Sequence, residues 1–155
     1  MVEPEVLRGR VAHIVAATRY PFVDQENWDE SRRVIVNTHK SRGWGFDSPA
    51  GRLYPSVVVL EEDGSVRELG VVEVKHEFTV DDAQRWSRMS SRTGMGVRYK
   101  KLFLYVPKGS ESEALRLLEE NSVEYAGLRA WWVTEGQLKV EAVETPDMPY
   151  DHRDT

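Results

Sequence analysis

The stretch that most constrains the fold runs from Leu53 to Lys75, LYPSVVVLEEDGSVRELGVVEVK. Two valine-rich runs flank Asp63-Gly64, a dipeptide suited to a tight reversal, so the segment reads as a β-hairpin and as the start of the core. TVDDAQRWSRMSSR follows as a helix, with Thr79 as its cap, Asp81 and Asp82 in its first turn, and Val80, Ala83, Trp86 and Met89 or Ser90 facing inward. KKLFLYVPKG is a buried strand that ends at Pro107 and Gly109. SESEALRLLEENSV is a helix with Ala114, Leu117 and Leu118 as its apolar stripe. YAGLRAWWV and QLKVEAV are closing strands.

Upstream, residues 4 to 18 read as a helix opened by Pro4 beside Glu3 and Glu5, with Leu7, Val11, Ile14 and Val15 as its stripe. RRVIVNTH suggests a short strand, and KSRGWGFDSPAGR has the glycines and proline of a loop. A strand, a crossover helix and another strand imply a mixed sheet with helices on both faces, an α/β sandwich. The expected organisation is one domain over residues 1–144 and a loose tail over 145–155.

The composition narrows the chemistry. With no cysteine among 155 residues, thiolate metal sites, disulfides and a cysteine nucleophile are excluded. No apolar run reaches the ~18 residues of a membrane span, and the N-terminal residues lack a signal peptide's apolar core, so a cytoplasmic protein is expected. A net charge of −5 argues against a general polyanion binder, yet Arg85 to Lys101 holds only basic charged residues. Arg85, Arg88 and Arg92 recur at helical spacing, which suits a phosphate-binding strip and a solvated helix face equally.

Strand alternation in VVEVKHE puts Glu73, Lys75 and Glu77 on one face, with Val72, Val74 and His76 on the other. Three charges on one side of a central strand are costly unless that side opens on a cleft, a metal or partners. Metal-dependent phosphodiester hydrolysis fits such a set. Glu73 and the Val74 carbonyl would bind Mg²⁺ or Mn²⁺, and Lys75 would lie beside the attacking water or the phosphate. An exposed edge strand would show the same alternation. Lys40, Arg42 and Trp44 in the upstream loop are further candidates for nucleic-acid contact, Trp44 by stacking on a base. Ser56 lacks the surroundings of a hydrolase nucleophile. His13 is expected near the helix's core edge and His76 on the back of the sheet. Glu61, Glu62 and Asp63 are expected as solvated turn charges.

A hairpin whose first strand is led by Pro55-Ser56, then Glu73-Val74-Lys75, a helix and a buried strand resembles the PD-(D/E)xK nuclease-like superfamily. The resemblance covers residues 3–18 and 53 to about 133. It implies a restriction endonuclease-like fold of α-β-β-β-α-β type, a divalent metal on Glu73, catalysis by Lys75, a polar residue facing the site at Gln84, and a contribution from Glu5. Ser56 stands where the family carries an acid, and a neutral hydroxyl holds a hard dication poorly. Three readings follow: Glu77 or Asp47 supplies the missing carboxylate, Ser56 binds through water with weak metal affinity, or the scaffold binds without cutting. The last reading admits nucleic acid, a protein partner or a homodimer formed through an exposed closing strand.

Overall fold

The computed structural model describes residues 3–19, 31–93 and 101–144. The expected tail, His152, and the basic residues Arg98 and Lys100 lie outside them. The first helix, α1 (Pro4–Ile14), carries proline in its first turn and runs on as a π-helical segment over Val15–Arg19. Val11, Ala12 and Val15 are buried, whereas Ile14 is exposed and drops out of the expected stripe. His13 is exposed too, not at the core edge.

Six strands form one mixed sheet: β1 (Arg33–Val36), β4 (Val57–Leu60), β5 (Val66–Val72), β6 (Leu102–Pro107), β7 (Gly127–Thr134) and β8 (Gln137–Glu144), adjacent in that order. The β1–β4, β4–β5 and β7–β8 pairs are antiparallel, while β5–β6 and β6–β7 are parallel. Helix α2 (Val80–Ser90) crosses from β5 to β6, and α3 (Glu111–Glu120) from β6 to β7. The expected loop over residues 40–52 instead contains a separate small hairpin, β2 (Phe46–Ser48) with β3 (Gly51–Leu53). Its two-residue turn is set by Gly51 at φ +115° and by the Ser48 hydroxyl, which donates to the Gly51 carbonyl; Asp47 and Arg52 pair across it.

Alternation along the strands sorts the core into two layers. Val58, Leu60, Leu69, Val71, Leu102, Leu104 and Leu128 face α2 and α3, meeting Ala83, Trp86, Met89, Ala114, Leu117 and Leu118. Val57, Val59, Val72, Phe103, Tyr105 and Trp131 face α1, meeting Val11, Ala12 and Val15. Helices therefore cover both faces, as the crossovers require. Trp86 is fully buried and stands edge-on to Phe78, ring centroids 5.4 Å apart. Val80, expected inside, is exposed; Phe78, just before the cap, fills the core beside Trp86 instead. No helix among the described residues is long and apolar enough to cross a membrane.

Two departures concern charge. Glu61 is no free turn charge: it accepts from Arg32 Nε at 2.9 Å and lies 3.6 Å from Arg67 Nη1. Glu68, in the middle of β5, is fully buried, with Arg67 Nε 3.6 Å from its carboxylate. Burial pushes the Glu68 carboxyl up to about 7, against the pull of Arg67, Lys101 and Arg32 and with the push of Glu61.

Candidate functional site

At the end of the sheet where β1 and β5 finish and β4 begins, the structure opens a cleft of about 480 Å³. α1 supplies Pro4, Glu5 and Arg8. The residues after β1 supply Asn37, Thr38, His39 and Arg42, and β3 with the link to β4 supplies Arg52, Tyr54 and Ser56. The end of β5 adds Glu73, Val74 and Lys75, and α2 adds Arg85 and Met89. The cleft thus lies between the helix on one face of the sheet and the helix on the other.

The expected strand through Glu77 stops at Val72. Glu73 remains attached to the sheet, its N–H donating to the Tyr105 carbonyl at 2.8 Å. The chain then turns away so that Thr79 can start α2, where the Asp82 carboxylate accepts the Thr79 N–H at 2.8 Å. Glu73, Lys75 and Glu77 consequently do not form a strand face. Glu73 is 3% exposed, Lys75 is exposed over the cleft, and Glu77 is exposed outside it. His76 is also exposed beyond the sheet, with its carbonyl accepting from the Ser110 hydroxyl at 3.1 Å, and does not pack on the back face.

Four charges form an alternating chain at the floor. Lys75 Nζ lies 2.7 Å from Asp82 Oδ2, and Arg85 Nη2 bridges Asp82 Oδ1 at 3.0 Å and Glu73 Oε2 at 2.5 Å. Trp86 Nε1 donates to the same Glu73 oxygen at 2.9 Å, and Trp131 Nε1 to the Glu73 carbonyl at 3.0 Å. Burial works against the Asp82 charge, but hydrogen bonds from Lys75, the Thr79 N–H and Arg85 outweigh it and hold the carboxyl below its ordinary value. For Arg85 burial opposes the charge as well, and Glu73 and Asp82 overcome it, raising its pKa. Each charge is therefore compensated from within the protein.

Ser56, 4% exposed, accepts the Val72 N–H on its Oγ at 2.9 Å, tying the start of β4 to the end of β5. The residues expected to hold a metal come together only in part. Glu73, the Val74 backbone and Ser56 share the cleft, while Glu77 lies outside it and Asp47 sits on β2, exposed and paired with Arg52 at 2.9 Å. Among the described residues no group of three or more His, Asp or Glu side chains is placed to hold a metal ion. The Arg85 guanidinium and the Trp86 N–H both engage Glu73 Oε2, so a dication at this carboxylate would have to displace them or bind through the other oxygen, Oε1.

Of the remaining candidates, Arg42 and Arg85 line the cleft. Gln84 is exposed and Lys40 solvated, and neither lines it. Arg88 is half-buried outside the cleft, and Arg92 lies over the Phe46 ring at 4.7 Å. Arg85, Arg88 and Arg92 therefore do not form one substrate-facing strip. Trp44 is half-buried beside Phe46, centroids 5.9 Å apart. Of the tryptophan pair on β7, Trp131 is buried and Trp132 half-buried under Lys108 Nζ at 4.2 Å. The candidate dimer edge, β8, is the outermost strand of the sheet.

Sequence reasoning missed the residues that shape the wall. The buried Asn37 side chain donates to the Pro55 carbonyl at 2.6 Å and the Trp44 carbonyl at 2.8 Å, and accepts from the Gly43 N–H at 2.8 Å and the Trp44 N–H at 3.3 Å. It fixes the strand-to-loop corner that carries Arg42 and Tyr54. Arg8 was signalled: it lies three residues after Glu5, so the two share a helix face. With these included, five cations (Arg8, Arg42, Arg52, Lys75, Arg85) line the cleft against two carboxylates (Glu5, Glu73), the reverse of the chain's net −5. Lys75, Arg85 and Arg52 are paired with Asp82, Glu73 and Asp47, so an anion drawn into the cleft would meet Arg8 and Arg42 first.

Compared with known proteins, the chain significantly matches no family model, no curated protein and no solved structure.

Proposed function

We propose that this protein is a nuclease-like α/β domain that binds nucleic acid through phosphates held in the cationic cleft, without hydrolysing it. The single observation that carries the reading is the internal neutralisation of the floor: Arg85 with Trp86 engages Glu73, and Asp82 engages Lys75. The element order supports the nuclease-like scaffold. Taking the β2–β3 hairpin as an insertion, α1, β1, β4, β5, α2 and β6 follow the α-β-β-β-α-β order of restriction endonuclease-like folds, with Ser56 and Glu73-Val74-Lys75 lining one cleft. Lys75 is 49% exposed on its side chain and keeps donors for a phosphate beyond the one given to Asp82.

The test is the anisotropy of a fluorescent single-stranded oligonucleotide titrated with wild type and with Arg8→Ala/Lys75→Ala. Binding should fall roughly sevenfold between 50 and 200 mM salt if two phosphates are neutralised, and by tenfold or more in the double variant. Salt-independent binding, or binding untouched by the two substitutions, overturns the reading. Glu5 favours one second reading, metal-dependent cleavage, because it brings another carboxylate to the cleft that holds Glu73. Calorimetry with Mn²⁺ on wild type, Glu73→Ala and Glu5→Ala separates the two: heat lost in both variants supports the metal site.

A further inference from the structure

The wall opposite the charged floor has a construction of its own. The Arg42 guanidinium lies 4.8 Å above the centre of the Tyr54 ring, and Arg52 lies 5.9 Å from the same centre. The two arginines differ in what they are free to do. Arg52 is committed to Asp47 at 2.9 Å and to the Gly45 carbonyl at 3.0 Å. Arg42 is exposed and has no carboxylate partner among the described residues. Stacking on an aromatic face holds a guanidinium's plane while leaving its N–H edges open, the fork geometry that takes a phosphate in two parallel bonds.

The platform under Arg42 is closely packed on one side. A Cβ on Gly45 would come 2.7 Å from two Tyr54 ring atoms, so the ring packs directly against backbone that only glycine permits. Asn37 clamps both sides of that packing, holding Gly43 and Trp44 on one segment and Pro55 on the other. Arg8 lines the same cleft from α1 and likewise has no ion-pair partner among the described residues. A phosphomonoester carries ~−1.5 to −2 at neutral pH, against −1 for the diester within a strand, so two uncommitted guanidiniums match a terminal phosphate better than an internal one. The size agrees: 480 Å³ falls in the range of ~300–1,000 Å³ that encloses small ligands, enough for a nucleotide and not for a duplex laid across it.

We infer that Arg42, stacked on Tyr54 and acting with Arg8, is the seat of a terminal phosphate, so that a single strand enters the cleft by its phosphorylated end. The inference rests on the nucleic-acid reading above and adds its substrate class.

The experiment is calorimetry with four probes: a single-stranded trinucleotide without terminal phosphate, its 5′-phosphorylated form, its 3′-phosphorylated form, and inorganic phosphate. Wild type is compared with Arg42→Ala, Arg42→Lys and, as a control outside the cleft, Arg88→Ala. One phosphorylated form should bind about tenfold tighter than the plain trinucleotide, and which form it is assigns the strand end. Arg42→Ala should erase that preference, lowering the affinity of the phosphorylated form well beyond any loss for the plain trinucleotide. Arg42→Lys, keeping charge but not the stack or the fork, should restore only a small part of it, and Arg88→Ala should behave as wild type. Equal binding of all three trinucleotides, or a preference that survives Arg42→Ala, overturns the inference while leaving the nucleic-acid reading intact. Binding of inorganic phosphate alone, lost in Arg42→Ala, supports the phosphate seat and removes the nucleic-acid reading. Binding of no probe removes both.

Discussion

Replacing Arg85 by methionine isolates the interaction at the centre of the site. Methionine keeps the length and the apolar stem but removes the guanidinium that meets Glu73 and Asp82. Asp82 retains Lys75 at 2.7 Å and the Thr79 N–H at 2.8 Å, so it stays satisfied. The Glu73 side chain, 4% exposed, retains only the Trp86 N–H at 2.9 Å. Orphaning one member of a buried pair costs ~3–5 kcal/mol. Arg85 is itself 28% exposed, so some of its field is already screened and about 3 kcal/mol is the expected loss. For a domain of this length each kcal/mol moves Tm by about 2–4 °C, giving a fall of roughly 6–12 °C. Urea unfolding followed by tryptophan fluorescence is the natural assay, since Trp86 touches the carboxylate in question. Glu73→Gln/Arg85→Met should recover most of the loss, because a neutral amide needs no cation beside it. An Arg85→Met protein within ~0.5 kcal/mol of wild type, or a double variant no better than the single, would refute the buried-pair account.

Three other perturbations follow from the same geometry. Asn37→Ala strands the carbonyls of Pro55 and Trp44 and should cost about 3 kcal/mol, at ~1–3 kcal/mol per unsatisfied buried group; equilibrium unfolding measures it, and a loss under ~1 kcal/mol contradicts the clamp. Glu68 gives a pH dependence: folded, it keeps its proton to about 7, whereas the unfolded chain releases it near the ordinary 4.5. The folded state binds more protons between those values, so this contribution to stability falls as pH rises from about 4.5 to 7, by up to roughly 3 kcal/mol at about 1.4 per pH unit. The stability difference between Glu68→Gln and wild type should therefore grow in favour of the variant across that window in urea titrations, and a difference that does not change with pH rejects the assignment. Asp47→Asn frees Arg52 from its exposed partner and should leave stability unchanged in urea unfolding while tightening oligonucleotide binding; weaker binding would show that the pair positions Arg52.

The sheet was legible because its signals are local and strong. Asp63-Gly64 marks a reversal, the runs 57–60 and 102–107 are apolar throughout, and the patterns of α2 and α3 place Ala83, Trp86, Leu117 and Leu118 inside. The end of β5 was not. The alternation of Glu73, Lys75 and Glu77 continues in sequence past Val72, where the backbone leaves the sheet, because the start of α2 is decided by the Thr79–Asp82 cap seven residues beyond. The small β2–β3 hairpin was hidden by glycines that read equally as loop. Lys75 and Glu73 were visible as candidates, but their partners, Asp82 and Arg85, belong to an element whose docking is set by Trp86 in the core. Arg42, Tyr54 and Arg8 line one cleft only because the ends of β1, β4 and α1 converge, a long-range consequence of strand order. Asn37, at the end of a valine-rich strand and before a glycine-containing corner, had a local cue to its side-chain role.

The measurement that bears most directly on the account is a cleavage assay with Mn²⁺ present. Wild type would be held at saturating concentration with an end-labelled single-stranded oligonucleotide, with binding confirmed by anisotropy in the same tube. The expected result is a bound and intact strand, because Arg85 and Asp82 already neutralise Glu73 and Lys75. A strand cut by wild type and left whole by Lys75→Ala would contradict the account and make the protein a nuclease.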